Sequence, residues 1–363
     1  MKNYNLDKRR YVISGVAIAI VVVYIIRLFT LQLLSDDYKK NADSNAFLKK
    51  VEFPSRGVIR DRNGRNRHTI LTNQNATNMK KVFLFLLATI TMTACQSKQT
   101  ETISPMQDTA VVYMTQEISQ ESLVRVFQAL GVEPKGKVAV KVSTGEPGGH
   151  NFLNPQLVKP LVDLVQGTIV ECNTAYPGKR YTSEEHKQVF IDHGWTAIAP
   201  CDLMDEFGEV RIPVRDTLHI KYDLVGEHLT HYDFLVNLAH FKGHAMGGFG
   251  GVLKNQSIGI ASHNGKTYIH TAGKTAVPEQ LWNNIPEQDL FHESMAAAAD
   301  GVHQYFNVTK NHELGTNCVR TVYINVMNNL SVDCDCDSHP AAPEMKNIGI
   351  LASLDPVALD QAC

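Results

Sequence analysis

From residue 109 onward the apolar positions form short blocks, some alternating and some spaced as on one face of a helix. Residues 110–114, 137–142 and 168–171 read as strands, and 120–130, 155–165 and 183–193 as helices. Ser119 stands at the N-cap of the first helix, and Asn154 followed by Pro155 opens the second. Strand after helix after strand predicts an α/β domain: a mainly parallel sheet with helices on both faces. Residues 201–217 are acidic and less regular, with strand-like pieces following through Leu224. Farther on, 232–239 reads as a buried strand, 252–261 and 289–306 as helices, and 320–327 as a half-buried strand. Gly301 is a weak point in the long helix. Residues 355–363 start a helical pattern that stops without a cap, which predicts that the domain continues past Cys363.

Two further apolar blocks precede this domain. Residues 11–34, from Tyr11 through Leu34, are apolar for about the length a bilayer core requires and predict a transmembrane helix. Lys2, Lys8, Arg9 and Arg10 before it place the N-terminus in the cytoplasm and the remainder outside. The segment SRGVIRDRNGR that follows resembles the stretch after the membrane anchor of class B penicillin-binding proteins, a resemblance covering residues 1–65. It implies a transpeptidase, which needs an S-x-x-K serine and a K-T-G strand. Neither motif occurs, so the catalytic domain is absent.

The second block, residues 79–95, has Lys80 and Lys81, a short apolar run and small residues before Cys95, the parts of a secretory signal. Met92-Thr93-Ala94-Cys95 resembles a bacterial lipobox, which implies a lipid on Cys95. Residues 96–108 read as a flexible tether. Two export signals do not normally share one chain. The simplest reading makes residues 1–65 the start of another reading frame, joined through 66–78, with Met79 as the natural start. Either signal places the 109–363 domain outside the cytoplasm, held to a membrane of the bacterial envelope.

Composition narrows the function. With 44% hydrophobic residues the chain can build a core, and its net charge of -2 leaves no basic footprint for nucleic acid. Seven cysteines without a C-x-x-C are too thinly spread for a disulfide scaffold.

The candidate chemistry centres on residues 240–256, HFKGHAMGGFGGVLKNQ, between a buried strand and a helix. Glycines there let a ligand approach bare N–H groups beside a positive helix end, which suits an anion. The candidate ligand-binding residues are Glu146, His240, Lys242, His244, Gly247, Gly248, Gly250, Gly251 and Lys254. Glu146 comes from a first loop, 143–150, after one strand; a second loop, 173–180, follows another, and residues 240–256 form the third. All three loops belong beyond the carboxyl ends of strands, where open α/β sheets bind ligands. Cys334, Cys336 and His339 are candidate metal ligands, although Cys-x-Cys is narrower than structural zinc spacing. A solvated acidic turn, or a disulfide from this pair to Cys318 or Cys172, competes with that reading.

Residues 141–155 (KVSTGEPGGHNFLNP), 173–180, 240–260, Cys334-Asp335-Cys336 and 353–360 (SLDPVALD) resemble successive signatures of the family catalogued as domain of unknown function 362, across residues 109–363. The resemblance implies the fold and the location of a site, but no reaction. Many members carry a ferredoxin-like four-iron module. Here residues 272–289, where its cysteines would fall, contain none, which argues against such a cluster. The resulting expectation is an envelope lipoprotein that binds a phosphate- or carboxylate-bearing small molecule, with a divalent metal between carboxylate and imidazole. The competing class is a non-enzymatic scaffold lipoprotein.

Overall fold

Parallel strands buried on both faces need continuous apolar runs, and the longest such runs in this chain form the middle of its sheet. The computed structural model describes residues 110–363. The predicted membrane helix, signal segment, lipidated Cys95 and tether all lie outside the described residues. Among the described residues, no helix is long and apolar enough to cross a membrane.

The first half alternates as predicted: β1 (Val112–Thr115), α1 (Gln120–Ala129), β2 (Val138–Lys141), α2 (Pro155–Val165), β3 (Thr168–Glu171) and α3 (Ser183–Asp192). The Ser119 side chain accepts from Ser122 N–H and that of Asn154 from Gln156 N–H, which fixes where α1 and α2 begin. The acidic stretch is more ordered than its pattern suggests. It contains β4 (Cys201–Leu203) and β5 (Glu209–Ile212), the latter paired with β6 (Asp223–Gly226).

Next come β7 (Phe234–His240), β8 (Lys242–His244), β9 (Gly248–Gly250), α4 (Val252–Ser257), α5 (His263–His270) and α6 (Gln288–Gln304). The helix predicted over 252–261 is shorter, ending at Ser257, and a separate helix starts after Ser262, which caps it by accepting from Gly265 N–H. Gly301 does not interrupt α6. A Cβ there would lie 3.0 Å from Val214 and 3.3 Å from the Pro213 carbonyl, so the glycine permits close packing. After α7 (Lys310–Glu313) come β10 (Thr321–Met327), β11 (Gly349–Ser353) and α8 (Pro356–Ala362).

Seven strands form one sheet in the order β1-β11-β10-β7-β2-β3-β4. All neighbours from β10 to β4 pair in parallel, and β11 runs against both β10 and β1. From β2 the chain steps outward to β3 and β4, whereas from β7 it steps the other way to β10. The order thus reverses between β2 and β7, and such a switch opens a crevice at the carboxyl ends of the strands.

Alternate residues divide between two cores. Val138, Val140, Val236 and Val322 join Leu123, Phe127 and Leu161 of α1 and α2 on one face. Ala139, Val170 and Leu235 join Val302 and Phe306 on the other. Each fully buried Val or Leu contributes about 1.5–3 kcal/mol, so these layers, and not polar contacts, carry the fold.

The glycine-rich segment departs from the loop predicted for it. Lys242–His244 and Gly248–Gly250 pair as an antiparallel hairpin, with Gly248 at φ +73° where the chain leaves the turn 245–247. The helix end behind it is already occupied. Asp360 of α8 accepts from Val252 N–H and Leu253 N–H, each at 2.9 Å, and from Asn325 Nδ2 at 2.7 Å. A Cβ on Gly251 would stand 2.3 Å from that carboxylate, so glycine is needed for its approach. Asp360→Ala should therefore cost about 2–3 kcal/mol by leaving two buried N–H groups and an amide unpaired. Urea unfolding of the full chain measures this, and a loss below about 0.5 kcal/mol would contradict the assignment.

Candidate functional site

A cavity of about 950 Å³ opens at the carboxyl edge of β2 and β3. It is lined by parts of all three predicted loops, including Glu146 from the first, Arg180 from the second, and His244 and Lys254 from the third. Lys266 and His270 of α5, and Cys334 and Cys336, complete its inner wall.

Two strands deliver opposite charges to one point. Lys141 ends β2 and Glu171 ends β3, and their buried side chains pair at 2.9 Å. The remaining Lys141 protons go to the Val142 carbonyl at 2.6 Å and Asn255 Oδ1 at 3.0 Å. The other Glu171 oxygen accepts from Thr144 N–H at 2.9 Å and lies 3.5 Å from Arg180. Burial by itself would raise the Glu171 pKa, but Lys141 and Arg180 hold it at about 2.

Glu146 is committed as well. It accepts from Arg180 Nε at 2.6 Å and from Lys179 N–H at 2.7 Å. Its carboxylate holds the second loop and is not aligned with an imidazole to share a metal.

Two predicted residues fall behind the cavity wall. His240 and Lys242 are buried and converge on Asp335, with His240 Nδ1 3.1 Å from the carboxylate and Lys242 in direct ion pairing. His240 Nε2 faces the Asn328 carbonyl at 2.5 Å. Lys242 and His240 keep Asp335 well below the usual carboxylate range despite its burial. Gly247, Gly248, Gly250 and Gly251 shape the hairpin and its exit, and do not line the cavity.

What remains is a surplus of positive charge. Lys266 Nζ meets only carbonyls, of Ala261 at 2.7 Å and Cys172 at 3.4 Å. The Lys254 ammonium has no hydrogen-bonding or ion-pairing partner among the described residues. Burial and then Lys242, Arg180 and Lys141 lower its pKa to about 7. Along the inner wall Lys141, Arg180, Lys254 and Lys266 thus face only Glu146 and Glu171. The other acidic lining groups are engaged or open to water: Glu185 pairs with Lys179, Asp333 accepts from Ala341 N–H, and Asp337 is exposed.

The predicted metal ligands are regrouped. His339 is exposed, with its ring 2.9 Å from Ser338 Oγ. His244 takes its place: its donor atom and the sulfurs of Cys334 and Cys336 lie within 4.8 Å of one another, a grouping compatible with a metal. The two sulfurs are bonded as a disulfide, and Cys172 and Cys318 are free thiols, so neither predicted long-range pairing forms. His244 Nδ1 accepts from Met246 N–H at 3.2 Å and Gly247 N–H at 2.9 Å. Burial first, then Lys254, His270 and Lys242, lower its pKa to about 2, so the ring is neutral with its proton on Nε2. While the two sulfurs are bonded to each other, neither is a thiolate ligand.

Sequence reasoning passed over Glu171, Lys266 and Asp335. A signal existed for Glu171: VAVK and TIVE each end an apolar strand on a charge.

The molecule is thus an α/β protein with a cation-rich cavity at the reversal point of a mainly parallel sheet. It belongs to the family described as domain of unknown function (DUF362), whose profile matches residues 138–363. No curated protein matches its sequence. Among solved structures it is similar to the lactate racemase apoprotein from Thermoanaerobacterium thermosaccharolyticum, with 18% identity and a TM-score of 0.35 over 59% of this chain and 50% of that one. The matched region thus spans half the length of that structure.

Glu171→Gln removes the carboxylate shared by Lys141 and Arg180 and should destabilise the full chain by about 3–5 kcal/mol. Urea unfolding is the measurement, and a change under about 1 kcal/mol would show that the buried cations need no such partner.

Proposed function

We propose that this chain is a membrane-held protein of the bacterial envelope whose α/β domain binds a small anion bearing phosphate or carboxylate groups. One observation carries the reading: among the described residues the Lys254 and Lys266 ammonium groups line a cavity of ligand size and neither is in ion-pair contact with a carboxylate. An anionic group between them would supply the missing charge at a site where water screens little. The apolar segment 11–34 and the lipobox at Cys95 support the membrane location. A divalent metal between Glu146 and an imidazole is not part of this proposal, because Arg180 and Lys179 already take that carboxylate.

Lys254 sets the pH dependence. With its pKa lowered to about 7, it is charged at pH 6 and largely neutral at pH 8, so anion affinity falls as pH rises through 7. Sulfate keeps its own charge over this range and is the suitable probe. Calorimetry on the detergent-solubilised full chain should show sulfate binding that weakens from pH 6 to pH 8. Lys254→Gln should lower affinity about tenfold at pH 6, close to 1.4 kcal/mol, and flatten the pH response. Absence of binding by sulfate, phosphate and malonate alike, or binding indifferent to Lys254→Gln, would favour the scaffold reading.

A further inference from the structure

The Cys334–Cys336 pair is not used by anion binding, yet both residues line the same cavity. We propose that this pair is a thiol–disulfide exchange centre whose substrate is an anionic low-molecular-weight thiol, its acidic group held by Lys254. The proposal rests on the anion-binding reading of the cavity and adds a reaction to it.

The two sulfurs are not equivalent. Cys334 is 7% exposed, whereas Cys336 is half-buried and more open to attack. The Cys336 N–H donates to Cys334 Sγ at 3.2 Å, a bond that strengthens when that sulfur becomes a thiolate. Access therefore makes Cys336 the attacked sulfur, and the N–H makes Cys334 the leaving group. The His244 ring lies within 4.8 Å of both sulfurs and can donate only through Nε2. Lys254 lines the same cavity as His244 and the pair. The intervening Asp335 would repel a thiolate if its charge faced the sulfurs. Lys242 and His240 hold it in their own ion pairs.

In the reaction the substrate thiolate forms a bond to Cys336 Sγ. The Cys334–Cys336 bond breaks, and its electron pair leaves on Cys334. A second thiolate then attacks the substrate sulfur of the mixed disulfide, releasing Cys336 as thiolate. Two substrate thiols are oxidised to one disulfide, the protein disulfide is reduced to two thiols, and the two substrate protons end on the cysteines.

The test uses the full chain purified without reductant. Peptide mapping after alkylation should find Cys334 and Cys336 joined. Reduction is then timed with thioglycolate, neutral 2-mercaptoethanol and cationic cysteamine, each rate referenced to the same thiol acting on a small neutral disulfide. Thioglycolate should show roughly a tenfold advantage over 2-mercaptoethanol, shrinking below about threefold in Lys254→Gln. Incubated with the disulfide of thioglycolate, Cys334→Ser should form a mixed disulfide on Cys336 with release of one thioglycolate, and Cys336→Ser should form none on Cys334. Unjoined cysteines in the purified chain, equal relative rates for the three thiols, or an adduct confined to Cys334 would each overturn the proposal. So would stoichiometric zinc on the reduced chain that His244→Ala abolishes, since the trio would then be a metal centre. Sulfate binding on the same preparations separates the two readings. Sulfate bound without thiol preference overturns the exchange alone, and neither observed overturns both.

Discussion

The Glu171 carboxylate, sealed under Lys141 and Arg180, decides where the loops at the carboxyl edge of the sheet stand. Its two oxygens join the end of β2, the loop after β2 and the loop after β3. Arg180 then extends the network to Glu146, whose second oxygen fixes the Lys179 backbone. Buried charges are stable only when each finds a partner of good geometry. Here the pairing is complete for Glu146, Glu171 and Lys141, and stops short of Lys254 and Lys266. That imbalance, and not the glycine content of the neighbouring hairpin, leaves the cavity with a surplus of positive charge.

Much of the framework was legible because it is local. Asn154-Pro155 and an apolar stripe define α2, and the run TIVE defines β3 without reference to anything distant. Long buried strands such as β7 also announce themselves, since few soluble elements tolerate seven buried positions in a row. β11 escaped notice because GILAS is short, carries no alternation, and depends on antiparallel partners far away in sequence.

The site was legible in its loops but not in its wiring. Glycines beside a helix start suggested an anion cradle, yet the carboxylate that fills that helix end belongs to Asp360, 108 residues from Val252. His240 and His244 look equivalent in the sequence. The first closes β7 and turns inward to Asp335, whereas the second closes β8 and lies on the cavity. Cys-x-Cys marks two members of the cluster but not the third, because only the folded hairpin brings His244 there. Pattern reveals which positions are buried; it does not reveal which distant charge meets them.

The edge strand β1 adds a mechanical point. It pairs only with β11, itself antiparallel to the rest, so β1 runs in the same direction as β2 and begins at the amino edge of the sheet. Four strand spacings, roughly 19 Å, separate it from β2. A polypeptide arriving at residue 110 therefore enters at the far margin and on the rim away from the cavity mouth. Tension applied at residue 110 would load a peripheral hydrogen-bonded ladder and leave the mouth undeformed.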